Sequence, residues 1–87
     1  MAHTVEIKTM RGFDLSIFEF PQVAVFDKPE DYPDNAVARI FDNGQPTNVI
    51  MLGNNPNDIR WDIRKYTNLV WVPRGKDDVT ELVGVYL

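Results

Sequence analysis

The dipeptide Asn43-Gly44 lies between two apolar segments and constrains the fold more than any other feature of the chain. Both residues tolerate the positive φ of a two-residue turn, so Asn-Gly between apolar runs predicts a β-hairpin. We expect its strands over residues 36–41 and 47–52. The loop length stays open because Pro46 can shift the register.

A helix is predicted directly after this hairpin, over residues 56–66. Asn55 is a favourable N-cap, and Pro56 suits the first helical position, where no backbone donor is needed. Apolar residues at helical spacing predict one buried stripe, formed by Ile59, Ile63 and Tyr66. A helix of about three turns is marginal alone and therefore needs a sheet to pack on.

Alternating or apolar runs predict further strands over residues 4–8, 13–17, 23–26, 69–72 and 79–87. The alternation changes phase between Ile17 and Phe18, and Pro21 indicates a strand end or an edge. Two or three strands are therefore expected before residue 36. Residues 27–35 contain two prolines and are expected to form a loop.

Together these elements predict an α+β fold with the order β-β-(β)-β-β-α-β-β. Runs of strands around one helix favour a small, mainly antiparallel sheet of about 5–7 strands with the helix on one face. The 87 residues predict a single domain, 1–87. A hydrophobic content of 44% argues against disorder.

The chain contains no cysteine, which excludes disulfides, zinc–thiolate sites and thiol catalysis. No apolar run approaches the roughly 20 residues that span a bilayer. The N-terminal residues lack the basic and apolar regions of a signal peptide. We therefore expect a cytoplasmic protein without a membrane segment, resembling small bacterial or mobile-element proteins in its general composition.

The residues needed for nucleophilic catalysis are scarce. Ser16 is the only serine and His3 the only histidine, and we interpret them as a strand residue and a terminal residue. The pair Asp77-Asp78 is explained by turn preference. No phosphate-binding glycine loop is present. We therefore predict no catalytic residue, no cofactor and no enzymatic activity.

The loop over residues 27–35 contains weak candidates for a metal site, because hard cations bind several oxygen ligands. These candidates are Asp27, Glu30, Asp31 and Asp34. Their spacing is not that of an EF-hand, which requires alternating ligands and a central glycine. A solvated loop is the favoured interpretation, and no metal is predicted.

Trp61 lies on the polar side of the predicted helix, roughly 200° around from Ile59. Its neighbours Arg60, Arg64 and Lys65 make this surface the predicted partner-binding site. Two alternatives stay open. Trp61 lies flat along the helix with a cation–π contact to Arg64 or Lys65, or it is buried against the N-terminal segment.

Three functions are considered. The first is a non-enzymatic protein-interaction module or homodimer, with the strand over residues 79–87 as a candidate pairing edge. The second is an acidic inhibitor or nucleic-acid mimic from a mobile element, because residues 13–42 carry seven acids against two bases. The third is a weak nucleic-acid binder acting through Trp61, although a net charge of −4 makes nucleic acid an unlikely partner.

Overall fold

The computed structural model describes residues 3–87, so Met1 and Ala2 of the predicted domain 1–87 lie outside the described residues. The elements follow in the order β1 (Val5–Ile7), a 3₁₀ helix (Leu15–Ile17), β2 (Pro21–Asp27), β3 (Ala36–Asp42), β4 (Gln45–Gly53), α1 (Pro56–Tyr66), β5 (Trp71–Pro73) and β6 (Leu82–Tyr86).

The strands of the described chain form one six-stranded sheet in the order β1-β4-β3-β2-β6-β5. β1 runs parallel to β4, and every other neighbouring pair is antiparallel. Helix α1 packs against β2, β3 and β4 on one face of the sheet. The predicted α+β class, with one helix on a mainly antiparallel sheet, is confirmed.

The predicted hairpin is confirmed as β3–β4. Asn43 and Gly44 have φ values of 55° and 79°, and they connect Asp42 to its partner Gln45 through a two-residue loop. The register shifts between Arg39 and Phe41, just before the position that pairs with Pro46. The hairpin therefore has the turn that its sequence encodes, with an irregularity next to the proline.

The helix has its predicted bounds. The Asn55 side chain accepts a hydrogen bond from the Asp58 backbone N–H at 3.0 Å, as an N-cap residue does. Ile59 and Ile63 are buried against the sheet. The prediction for Tyr66 is wrong, because it is 37% exposed and lines a surface cleft. The buried stripe therefore ends at Ile63.

The strand predicted over residues 13–17 is wrong. The Asp14 carboxylate accepts hydrogen bonds from the Ser16 backbone N–H at 2.9 Å and from Ser16 Oγ at 2.6 Å. These local bonds favour a turn over an extended strand, and the 3₁₀ helix follows Asp14 directly. Alternation of apolar residues did not reveal this competing interaction.

The strand predicted over residues 79–87 is not a sheet edge. It is limited to Leu82–Tyr86, and this strand, β6, pairs with both β2 and β5. β5 forms the edge instead. The flanking residues Val70 and Arg74 donate backbone hydrogen bonds to the Leu87 and Val83 carbonyls, so position 73 faces outward. Pro73 has no N–H to donate there.

The Asp62 carboxylate attaches the N-terminal segment to α1. It accepts a hydrogen bond from the Met10 backbone N–H at 2.7 Å and another from Thr9 Oγ1 at 2.5 Å. Met10 is fully buried in the core beside the helix. This contact fixes where the chain crosses from β1 to the 3₁₀ helix.

Gly84 in β6 allows the indole of Trp71 to lie directly on the backbone. A Cβ at position 84 would lie 2.5 Å from the Trp71 ring and 2.7 Å from the Val72 carbonyl oxygen. The Trp71 ring in turn contacts Tyr86, with ring centroids 4.9 Å apart. The packing of β5 on β6 therefore depends on the absence of a side chain at Gly84.

We expect Gly84→Ala to lower the free energy of unfolding by about 1–3 kcal/mol, because the added methyl displaces the indole and the β5 backbone. Urea denaturation measures the loss. The matched control is Gly75→Ala, where the nearest atom lies 3.5 Å from the new Cβ. Equal stability of the two variants would show that Trp71 does not pack on Gly84.

Candidate functional site

The four residues predicted as a partner surface do not all lie together. Arg60 turns towards the sheet, where its guanidinium carbon lies 3.8 Å from the centroid of the Trp71 ring. The Arg60 Nε atom is buried without a hydrogen-bond partner in the described chain. The Arg60 carbonyl accepts a hydrogen bond from Tyr86 Oη at 3.3 Å. Arg60 therefore joins α1 to the aromatic pair of β5 and β6.

Trp61 is 62% exposed, so the alternative of burial against the N-terminal segment is wrong. Lys65 Nζ lies 4.6 Å from the Trp61 ring centroid, which is the cation–π contact weighed as one alternative. This contact holds the indole along the helix surface. It leaves the ring accessible beside two cationic side chains, Arg64 and Lys65.

The basic residues of α1 have no ion-pair partner within residues 3–87. The one salt bridge in this part of the chain joins Arg39 to Asp31. A cavity of about 190 Å³ lies between the guanidinium-bearing residues of the helix and is lined by Asn57, Arg60, Trp61, Arg64 and Tyr86. Trp61 and its cations therefore form a positively charged surface with a hollow beside it.

The acidic loop does not form a metal site in the described residues. Asp31 is paired with Arg39, and no three or more histidine, aspartate or glutamate side chains in residues 3–87 lie close enough to hold an ion. The loop instead covers one end of the sheet. Pro29 is buried, and the Tyr32 ring lies 6.0 Å from the Arg39 guanidinium carbon.

The residues examined for nucleophilic catalysis do not come together by hydrogen bonding. Ser16 Oγ donates to Asp14, and the His3 carbonyl accepts a hydrogen bond from Asn48. Asp78 accepts from the Gly75 backbone N–H at 2.6 Å, as a turn residue does. Ser16 Oγ, the His3 carbonyl and Asp78 therefore each bond to a different partner within the fold.

The sheet face opposite α1 is largely apolar. Val23, Val25 and Trp71 pack on the helix side of the sheet. Because side chains alternate along a strand, Ala24, Val70 and Val72 point to the opposite face. We name its uncovered part the open sheet face, and it consists of Gln22, Ala24, Phe41, Val70, Val72, Val85 and Leu87. Five of these residues line one cavity of about 230 Å³.

Sequence reasoning missed the open sheet face, although a signal for it was present. Residues 23–26 and 69–72 are continuous apolar runs rather than alternating ones. Such runs are typical of strands that are covered on both faces. Within residues 3–87 there is one helix of 11 residues, and it covers one face. On the other face Val37 and Ile50 are buried as well, so the open sheet face is the part of it that stays exposed in residues 3–87.

No helix in residues 3–87 combines the length and the apolar character needed to cross a bilayer. The chain matches no protein-family model, no curated protein and no solved structure in the comparisons.

Local hydrogen bonds perturb the pKa of Asp14. The hydrogen bond from the Ser16 side chain, followed by the bond from its backbone, lowers the pKa of Asp14 below the ordinary value of 3.8. A lowered pKa in the folded state stabilises the fold above the unfolded pKa. This stabilisation is lost as the pH falls through the folded pKa.

We therefore expect the Asp14 carboxyl carbon to titrate below 3.8 in NMR measurements of the folded protein. Ser16→Ala removes the larger of the two contributions and is expected to raise the pKa of Asp14. The control is Ser16→Thr, which keeps a hydroxyl donor and is expected to leave the pKa of Asp14 lowered. An unchanged Asp14 pKa in Ser16→Ala would contradict the assignment of the side-chain bond.

Proposed function

We propose that the protein is a non-enzymatic protein-interaction module that forms a homodimer through the open sheet face. The observation that carries the proposal is an exposed apolar patch on this sheet face, where Val70, Val72 and Leu87 are 66%, 43% and 54% exposed. Burying apolar surface is the main driving force of association. Two such faces packed about 10 Å apart would exclude water from the side chains of both copies.

The size of the open sheet face suits a weak dimer. Four strands at about 4.8 Å spacing, each with up to two side-chain positions about 7 Å apart, give an area of roughly 270 Å² per copy. A standard interface buries about 800 Å² per partner. The open sheet face therefore supplies the centre of an interface, and we expect association that depends on protein concentration in the micromolar range.

The charges of the open sheet face favour a second copy as the partner. Each copy carries a net charge of −4, so two copies repel unless they meet where acids are absent. Gln22 is the one polar residue of this face. The neighbouring Arg39, which is opposite Ala24 in the sheet, is neutralised by Asp31. An uncharged apolar face is complementary to itself, as a twofold interface requires.

Strand addition at β5 is a less favourable route to the same dimer. Pro73 removes an outward backbone donor, and β5 is only three residues long. Packing of faces, rather than pairing of edges, is therefore the form of association that we propose. A cytoplasmic location belongs to the same proposal and is supported by the absence of cysteine.

We expect Val70→Asp to raise the dimer dissociation constant by at least about tenfold, because the interface would bury an unpaired carboxylate. Analytical ultracentrifugation over a concentration series measures the change. The matched control is Val79→Asp, at the opposite end of the β5–β6 hairpin. The two valines are similarly exposed, Val70 at 66% and Val79 at 60%.

The native chain and Val79→Asp are expected to show the same monomer–dimer equilibrium. A native chain that stays monomeric up to millimolar concentration would refute the homodimer. Equal weakening by both substitutions would mean that added negative charge, and not the open sheet face, controls association. Circular dichroism of both variants establishes that each is folded.

The acidic inhibitor receives less support from the geometry. Asp42 pairs with Pro21 at one end of β2, whereas Asp27 lies at the other end, about 20 Å away along the strand. Three of the seven acids in residues 13–42 already bind within the chain, namely Asp14, Asp31 and Asp42. The acids are therefore divided between two ends of the sheet, and the inhibitor stays a prediction.

A second candidate function is weak binding of single-stranded nucleic acid at the Trp61 surface. It is favoured by one observation: an exposed indole beside cations that have no carboxylate partner within residues 3–87. Stacking on an aromatic ring and cationic contacts to phosphates are the two components of such binding. The acids elsewhere on the chain would limit its strength.

If this second function holds, a fluorescent oligothymidine should bind with an affinity that falls steeply as salt rises. Trp61→Ala should abolish the binding, and Arg64→Gln should weaken it, as measured by fluorescence anisotropy. The control is Lys28→Gln, an exposed cation in the acidic loop. Binding that is independent of salt, or unchanged in Trp61→Ala, would eliminate this function.

A further inference from the structure

A second recognition surface lies at the C-terminal end of α1. There the 3₁₀ helix and its flanking residues face the last turn of α1 across a shallow cleft of about 600 Å³. We name this the aromatic cleft. Its lining contains three aromatic rings and two carboxylates, from Phe13, Phe18, Tyr66, Asp14 and Glu19.

The aromatic rings that line this cleft are partly exposed to solvent. The Phe13 and Phe18 ring centroids lie 6.4 Å apart with an interplanar angle of 35°. Tyr66 lines the cleft from the helix and is 37% exposed, whereas Phe13 and Phe18 are half-buried and pack against the core. Aromatic faces carry negative electrostatic potential and attract ammonium and guanidinium groups.

The charges of the aromatic cleft have one sign. Asp14 and Glu19 are exposed carboxylates, and the lowered pKa of Asp14 keeps it ionised even in mildly acidic solution. No lysine or arginine lines the cleft. Lys65 lies beside the cleft-lining Tyr66, with its Nζ 5.4 Å from the centroid of that ring.

The end of α1 adds a further negative potential. The helix ends at Tyr66, and the Thr67 backbone N–H and Oγ1 both bond to the Ile63 carbonyl. The last backbone carbonyls beyond Ile63 are thus without helical donors, which places the negative end of the helix dipole beside the cleft. The rings and the carboxylates favour a bound cation, whereas the helix end contributes less because Arg64 and Lys65 lie in the same last turn.

We propose that the aromatic cleft is a binding site for an organic cation, of the alkylammonium class. Such a group combines a positive charge with apolar methyl or methylene surface, and the cleft offers a complement to both. The source of the cation is either a small amine or a basic side chain of a partner protein. The proposal is independent of the open sheet face, which lies on another side of the sheet.

The experiment uses the full chain and two probes of equal shape. Choline carries the positive charge, and 3,3-dimethylbutan-1-ol is its neutral counterpart. Choline is expected to shift the backbone amide NMR signals of residues 13–19 and 66–69 with saturation, whereas the neutral alcohol leaves them unchanged. Equal shifts with both probes would overturn the proposal, because the site would then recognise shape alone.

Substitutions locate the binding. Glu19→Gln is isosteric and exposed, and we expect it to raise the choline dissociation constant about two- to fivefold. Phe18→Leu should weaken binding further by removing a ring. Glu30→Gln, an exposed acid on the loop before β3, is the matched control and should bind as the native chain does.

If Glu19→Gln and Glu30→Gln reduce choline affinity equally, general charge attraction explains the binding and the proposal fails. This comparison holds even if Phe18→Leu does not fold. The source of the cation is distinguished by spermidine and by a short peptide with trimethyl-lysine. Saturating shifts at the aromatic cleft with either probe support the site. The ratio of the two dissociation constants identifies which source binds more tightly.

Discussion

One short helix has to cover a sheet that is apolar on both faces, and this mismatch governs the molecule. Ile59 and Ile63 fill the space above β2, β3 and β4, where Val23, Val25 and Ile40 are fully buried. An 11-residue helix has too little surface to wrap a six-stranded sheet. Part of the second face, around Val70, Val72 and Leu87, therefore stays exposed, and the proposed association depends on it.

The contacts that complete the first face come from both ends of the chain. Asp62 binds the segment after β1, and Arg60, two residues earlier, stacks on Trp71 of the edge strand. Opposite sides of one helix thus hold the two outer strands of the sheet. This arrangement explains why Arg60 is withdrawn from the cationic surface around Trp61, where helical geometry alone had placed it.

Local signals predicted the second half of the fold well and the first half poorly. Asn43-Gly44 and Asn55 act through their own backbone and side chains, so sequence reveals them directly. The 3₁₀ helix depends on the competition between the Asp14 side chain and strand pairing, which alternation does not report. The open sheet face needs knowledge of which face the helix occupies. Only the continuous apolar runs indicated this face. The aromatic cleft joins residues about 50 positions apart, so local sequence patterns do not predict it.

The parallel pairing of β1 with β4 has a kinetic consequence. Val5 lies opposite Val49, and Thr9 reaches Asp62 across 53 positions of sequence. Closing a loop of that length costs conformational entropy, and contacts compensate for this cost only once β4 and α1 are in place. We therefore expect the β3–β4 hairpin and α1 to form before β1 pairs with β4 during folding. We expect β1 to detach first during unfolding. Its amide hydrogens would exchange with solvent through openings smaller than global unfolding, while those of β2 and β3 would exchange only when the whole sheet comes apart.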